Sequence, residues 1–243
     1  MKISVCIPMY NEASVIAENA KKLSDYMESV FVSPDGEREY EIIYADDGST
    51  DGCGDIVRSL GLPAMRVVGY PDNRGKGCAV RTALLASQGE LAMFTDADLA
   101  YGTEVIERMW KEFSSHGDAS LVIGSRNLSK DGYSEYTFLR RVMSKVYIKL
   151  LCIVGGFKLS DSQCGCKGFS HDAVQAIFPR CEVDRFAFDF EAILWAEKLG
   201  LKIYEMPVKV LVHGESKVNI IRDTFKMIGD LRRMRRRIKK AQI

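Results

Sequence analysis

Short apolar runs alternate with longer amphipathic ones through the first half of the chain, and a polar motif follows most of the apolar runs. The pattern predicts strands over 3–7, 41–45, 65–69, 91–96 and 120–124, with helices over 12–32, 51–60, 78–87 and 103–114. Such alternation builds a mostly parallel sheet flanked by helices, with ligands outside the carboxyl ends of the strands. The expected class is therefore α/β. The second half is less regular: a helix over 136–154, another over 188–198, a strand over 202–212 and a closing basic amphipathic helix over 219–240.

Asp96-Ala97-Asp98 follows the apolar run Leu91-Ala92-Met93-Phe94-Thr95. Two carboxylates spaced i, i+2 at a strand end reach one lip of a sheet, where they repel unless a cation lies between them. Mg²⁺ or Mn²⁺, hard ions that take oxygen ligands and bridge to substrate phosphates, suit such a pair. In isolation the same spacing also serves turns and caps.

At 243 residues the chain fits one large domain, and its 47% hydrophobic and 28% charged residues exclude wholesale disorder. Net charge is +1 but uneven. Arg232, Arg233, Arg235, Arg236, Arg237, Lys239 and Lys240 put seven cations at the C-terminus, leaving −6 on the rest. That asymmetry points to an anionic partner, membrane or nucleic acid. Seven scattered cysteines without a CxxC pair, and three histidines, disfavour a disulfide framework or zinc site and point to a reducing, cytoplasmic setting. The first strand starts almost at Met1, so no signal peptide is expected, and no run reaches the ~18 apolar residues of a spanning helix.

Pro8-Met9-Tyr10-Asn11-Glu12 follows the first strand. Tyr10 offers a face on which a base can stack, and Asn11 is placed to cap the next helix. Asp46-Asp47-Gly48-Ser49 follows the second strand, where a carboxylate can accept from a base or ribose, or simply favour a turn. Asn73-Arg74-Gly75-Lys76-Gly77 precedes a helix and can cradle phosphate with backbone amides and a lysine. It satisfies neither the Walker nor the dinucleotide pattern, which disfavours kinases, ATPases and NAD-dependent enzymes.

In this order, these segments resemble glycosyltransferase family 2, whose members share the nucleotide-sugar-binding GT-A fold. Further motifs narrow the likeness to the polyprenyl-phosphate sugar synthases: Gly124-Ser125-Arg126, Arg140 with Ser144, Asp161-Ser162-Gln163-Cys164-Gly165-Cys166-Lys167, Phe188-Asp189-Phe190-Glu191 and Gly214-Glu215-Ser216-Lys217-Val218. Val183-Asp184-Arg185-Phe186-Ala187-Phe188-Asp189 is most similar to the dolichyl-phosphate β-glucosyltransferases. The resemblance implies a catalytic domain over 1–218, with a nucleotide-sugar half to 126 and an acceptor half from 127, then the basic helix of 219–243. Donor-site candidates are Pro8, Tyr10, Asn11, Glu12, Asp46, Asp47, Lys76, Asp96, Ala97, Asp98 and Lys217. Arg126, Arg140 and Ser144 are the family's cradle for an acceptor phosphate. Asp96, Asp98, Arg126, Arg140 and Gln163 are the expected catalytic set, with metal on Asp96 and Asp98. Asp161 matches the acceptor loop or a turn; one of Asp189 and Glu191 holds the sugar, or either is a first-turn helix acid.

The implied reaction is inverting transfer of a hexose from a nucleotide diphosphate to polyprenyl phosphate. A phosphate dianion needs fixed cations, which arginine supplies as a planar fork, and it attacks without a general base. Ala100 stands where mannosyl-transferring members place Gln, Tyr101-Gly102 replaces a proline-bearing turn, and His213 stands where arginine is common; UDP-glucose is favoured over GDP-mannose. Alternatives are a GDP-mannose enzyme, a member acting on a polysaccharide or protein hydroxyl, and a basic-tailed nucleic-acid-binding protein. The favoured reading needs no nucleic acid. It places the protein peripherally on the cytoplasmic face of a membrane, with basic amphipathic segments toward anionic headgroups and room for a membrane-embedded partner.

Overall fold

The computed structural model describes residues 1–133, 138–211 and 220–242, and of 138–144 and 220–227 the backbone alone. The expected alternation is present. β1 (Ile3–Met9), α1 (Ile16–Val30), β2 (Tyr40–Asp47), α2 (Cys53–Ser59), β3 (Met65–Tyr70), α3 (Lys76–Leu85), β4 (Leu91–Phe94), α4 (Glu104–Ser115) and β5 (Leu121–Ser125) follow in turn. After α5 (Phe138–Gly155) come β6 (Lys167–Ser170), α6 (His171–Ile177), α7 (Phe188–Lys198), β7 (Ile203–Pro207) and α8 (Ile220–Lys240). The seven strands are ordered β3-β2-β1-β4-β6-β5-β7. All run parallel except β6, which pairs antiparallel with β4 and β5.

Period-two alternation divides the core between the two faces of the sheet. Ile3, Val5 and Ile7 of β1 with Leu91 and Met93 of β4 pack toward α1, α2 and α4. Cys6, Ala92 and Phe94 face the opposite way, toward α3, α5, α6, α7 and α8. α8 belongs to that layer, since Leu231, Met234 and Ile238 are buried in it.

Two expectations change. The strand expected over 202–212 is shorter, because β7 ends at Pro207, and β6 with α6 was not expected at all. β6 reads Lys167-Gly168-Phe169-Ser170, with too little apolar character to look like a strand, yet its first three residues are buried. Its reversed direction brings the segment before it, 161–166, to the carboxyl ends of β4 and β5.

Candidate active site

β1, β2 and β4 end side by side, and the residues leaving them form one rim. Asp96 and Asp98 stand on it half-buried. β4 itself stops at Phe94, not Asp96. Beyond it Leu99 N–H donates to Asp96 O at 3.0 Å and Gly102 N–H to Leu99 O at 2.8 Å, closing a turn that carries both acids. Leu99 holds φ +50° with its side chain buried, a strained backbone that only surrounding packing sustains. Ala97 contributes its carbonyl, which accepts from Asn19 Nδ2 of α1 at 2.9 Å.

The charges on this turn are linked to others behind it. Lys76, the first residue of α3, pairs with Asp96 Oδ1. Burial disfavours its ammonium, but Asp96, then Asp189 and Asp98, outweigh burial and hold it above the usual lysine range. Burial pushes the Asp98 carboxyl up and the Asp96 charge adds to the push, against the Ala100 N–H that donates to Oδ1 at 3.0 Å. Asp189, in the first turn of α7, is also pushed up by burial and pulled back by Lys167, whose buried Nζ donates to it at 2.6 Å. Three carboxylates thus share the cluster with two ammonium groups. The surplus of negative charge and the hard oxygen donors of Asp96 and Asp98 fit a divalent cation such as Mg²⁺ or Mn²⁺. Among the described residues no three His, Cys, Asp or Glu gather as a cage.

At the exit of β1, where Pro8 lies in register with Ala45, Tyr10 is exposed. Asn11, at φ +54°, does not cap the next helix as expected. Its Oδ1 accepts from Thr50 N–H at 2.9 Å and its N–H donates to Ser49 Oγ at 3.1 Å, which ties the exits of β1 and β2 together. α1 starts later, at Ile16, after a turn in which the Glu12 carbonyl accepts from Val15 and Ile16 at 3.1 and 2.9 Å.

Adjacent residues of β2 point to opposite faces, so Asp46 and Asp47 differ. Asp46 is half-buried and accepts from Ser49 N–H at 2.9 Å. Asp47 is buried and accepts from Tyr70 Oη at 2.7 Å, Asn73 Nδ2 at 2.8 Å, and the N–H groups of Arg74 and Gly75 at 2.9 Å. The loop amides expected to cradle phosphate are therefore engaged by Asp47. The Lys76 side chain is the loop's contribution to the rim.

The second half of the chain meets the rim through the segment before β6. Arg126, leaving β5, grips the buried Asp161 with Nε at 2.7 Å and Nη2 at 3.0 Å, and its guanidinium stands 5.7 Å from the Tyr133 ring centre. Gln163 N–H donates to Asp161 Oδ1 at 3.2 Å, while Gln163 Nε2 is buried without a hydrogen-bond partner among the described residues. Gly165 N–H donates to Tyr101 Oη at 3.1 Å. A Cβ at Gly165 would stand 2.5 Å from Asp96 Oδ2, so any larger residue here would push the Asp96 carboxylate from its place. Arg140 and Ser144 lie on α5 with side chains outside the described residues, and Lys217 lies outside them altogether.

The two acids of α7 separate. Asp189 joins the cluster, whereas Glu191 is fully buried elsewhere, accepting from Glu182 and Val183 N–H at 2.9 and 2.7 Å and pairing with Arg237 of α8. Two residues of the site escaped the sequence reading. Lys167 stood within a quoted motif, but its partner Asp189 lies 22 residues on, out of reach of any local pattern. Glu205 of β7 accepts from Ser160 N–H at 2.9 Å, Ser160 Oγ at 2.7 Å and Asp161 N–H at 3.3 Å, fixing the segment that orients Arg126.

Residues 4–178 match the profile of glycosyl transferase family 2. Among curated proteins, a dolichyl-phosphate beta-glucosyltransferase of Trichomonas vaginalis is 33% identical over 88% of this chain and 65% of its own length. One from Dictyostelium discoideum is 31% identical over 96% of this chain and 73% of its own. Among solved structures, glucosyl-3-phosphoglycerate synthase of Mycobacterium tuberculosis in complex with UDP superposes with a TM-score of 0.67 at 19% identity, covering 95% of this chain and 79% of that one. The same enzyme with Mn²⁺, UDP and phosphoglyceric acid gives 0.64 at 18% identity, over 100% of this chain and 80% of that one. The strand order, the rim at the ends of β1, β2 and β4, and these likenesses converge: the chain has the GT-A fold and belongs to glycosyl transferase family 2.

Proposed function

We propose that this protein transfers glucose from UDP-glucose to a polyprenyl phosphate with inversion at the anomeric carbon. The observation that carries the reading is the contact between the two halves of the site: the segment that sets Arg126 through Asp161 lies, at Gly165, directly against Asp96. A donor diphosphate on the acids and an acceptor phosphate at Arg126 then share one rim. The glucosyltransferase names of the relatives and the UDP-bound neighbour support the choice of sugar and nucleotide.

In this scheme the exposed ring of Tyr10 stacks on uracil and Asp46 meets base or ribose. Lys76 moves from Asp96 toward the diphosphate, which presents it with more charge than one carboxylate does. Asp96 and Asp98 would hold the divalent cation, which when bound offsets charge on the departing diphosphate. Arg126, rigid on Asp161, orients the acceptor phosphate, and the unpartnered amide of Gln163 donates to a substrate oxygen. A phosphate oxygen attacks C1 of glucose as the bond from C1 to the β-phosphate oxygen breaks. UDP leaves, and because the attacking oxygen is already ionised no base removes a proton.

Incubation of the protein with radiolabelled UDP-glucose or GDP-mannose, a polyprenyl phosphate and Mn²⁺ tests the proposal. It expects labelled lipid from UDP-glucose and little from GDP-mannose. Absence of sugar-lipid with both donors would overturn it.

A further inference from the structure

α5 buries Ile148 and Leu151 but exposes Val146 (63%), Leu150 (39%) and Ile153 (68%). These three recur at i, i+4 and i+7, so they form one stripe, and the exposed Lys145 and Lys149 run beside it. On α8, Arg232, Arg235, Arg236 and Lys239 recur at i, i+3, i+4 and i+7, away from the buried Leu231, Met234 and Ile238. The apolar and cationic stripes meet. Ile153 and Val154 line a cleft of about 510 Å³ together with those four cations, and Arg235 Nη1 donates to Val154 O at 3.1 Å. A second cleft of about 650 Å³, which Ile153 also lines, runs past Lys145 and Lys149 to Ser160 and Asn127, the neighbour of Arg126.

Cations beside a continuous row of exposed aliphatic side chains match the interface of an anionic bilayer, where one set meets phosphates and the other enters the headgroup layer. Nucleic acid would use the cations and gain nothing from the aliphatic row. The cations are also sorted by position: Arg237 turns inward to Glu182 and Glu191, and Arg233 pairs with Asp230 on its own helix.

We propose that the α5–α8 face docks on an anionic phospholipid bilayer, with Val146, Leu150 and Ile153 entering the headgroup layer and the cations of the α8 cleft holding lipid phosphates. The docking face deepens the reading of a lipid-borne acceptor and rests on it for its purpose, because the second cleft leads from the docked helix to the neighbour of Arg126.

The test is sedimentation of the full chain with phosphatidylcholine vesicles, with and without phosphatidylglycerol, in the absence of donor and polyprenyl phosphate. Binding is expected only to the anionic vesicles. It should weaken with added salt and fall at least about tenfold both in the Arg232→Glu/Arg236→Glu variant and in Ile153→Asp. Turnover of a water-soluble short-chain prenyl phosphate should stay at the wild-type level in both variants, which also shows them folded. Equal binding to neutral and anionic vesicles, or unchanged binding in folded variants, would overturn the proposal. So would DNA binding tighter than vesicle binding and insensitive to Ile153→Asp. A protein that docks but transfers no sugar upholds this face and sinks only the transfer reading. One that transfers sugar yet ignores anionic vesicles does the reverse.

Discussion

Asp46 and Asp47 are neighbours in sequence with different work, and the difference comes from the pleat of β2. Asp47 meets four groups that donate to it from Tyr70, Asn73, Arg74 and Gly75, and thereby sets the loop that launches Lys76 toward Asp96. Replacing it by alanine removes the acceptor shared by four donors, two of them half-buried (Tyr70 and Gly75), and frees the loop. Asp47→Ala is expected to cost about 3 kcal/mol in urea unfolding and to raise the KM for donor more than it lowers kcat. Asp96, Asp98, Lys76 and Tyr10 were legible in the sequence because each leaves a strand end or opens a helix beside one, where this class of sheet binds its ligand. Which of the two adjacent aspartates is tied into the following loop was not legible. That depends on the direction in which the loop over 71–75 returns, set by contacts more than twenty residues apart. Asn11 misled for a similar reason: its position suited a helix cap, but Ser49 and Thr50, distant in sequence, claim its backbone and side chain.

Among the elements, β6 does the most to assemble the site and announces itself least. Being antiparallel, it places the 161–166 segment at the same end of the sheet as the acids, with Gly165 packed directly against the Asp96 carboxylate. Its Lys167 is tolerated inside the fold because Asp189 and the Cys164 carbonyl, each 2.6 Å away, accept hydrogen bonds from its ammonium. From sequence alone a lysine and a glycine argue against a buried strand. β7 supports the same segment from the far side through Glu205. Glu205→Ala should loosen Asp161, and with it the Arg126 fork, raising the KM for acceptor phosphate about tenfold while kcat changes less. Glu205→Gln, which keeps an oxygen for Ser160 N–H, should recover part of the loss. Parallel falls in kcat for both variants at unchanged KM would show that Glu205 only holds the fold together.

At the scale of the whole molecule, charge is sorted by depth. Acids gather at the rim with fewer ammonium groups than carboxylates, and the basic helix lies across the helical layer on one face of the sheet, anchored by Leu231, Met234 and Ile238 and by the pairing of Arg237 with Glu191. No helix among the described residues is long and apolar enough to cross a membrane. The excess of negative charge at the rim calls for a cation, which Asp96 and Asp98 would hold and which would offset charge on a bound diphosphate. Electron paramagnetic resonance of Mn²⁺ tests this without any acceptor. Wild-type protein with UDP-glucose should quench the signal of aqueous Mn²⁺ at protein concentrations where Asp96→Asn/Asp98→Asn, folded and with unchanged thermal stability, leaves it at full height. Equal quenching by the wild type and the double variant would contradict the account.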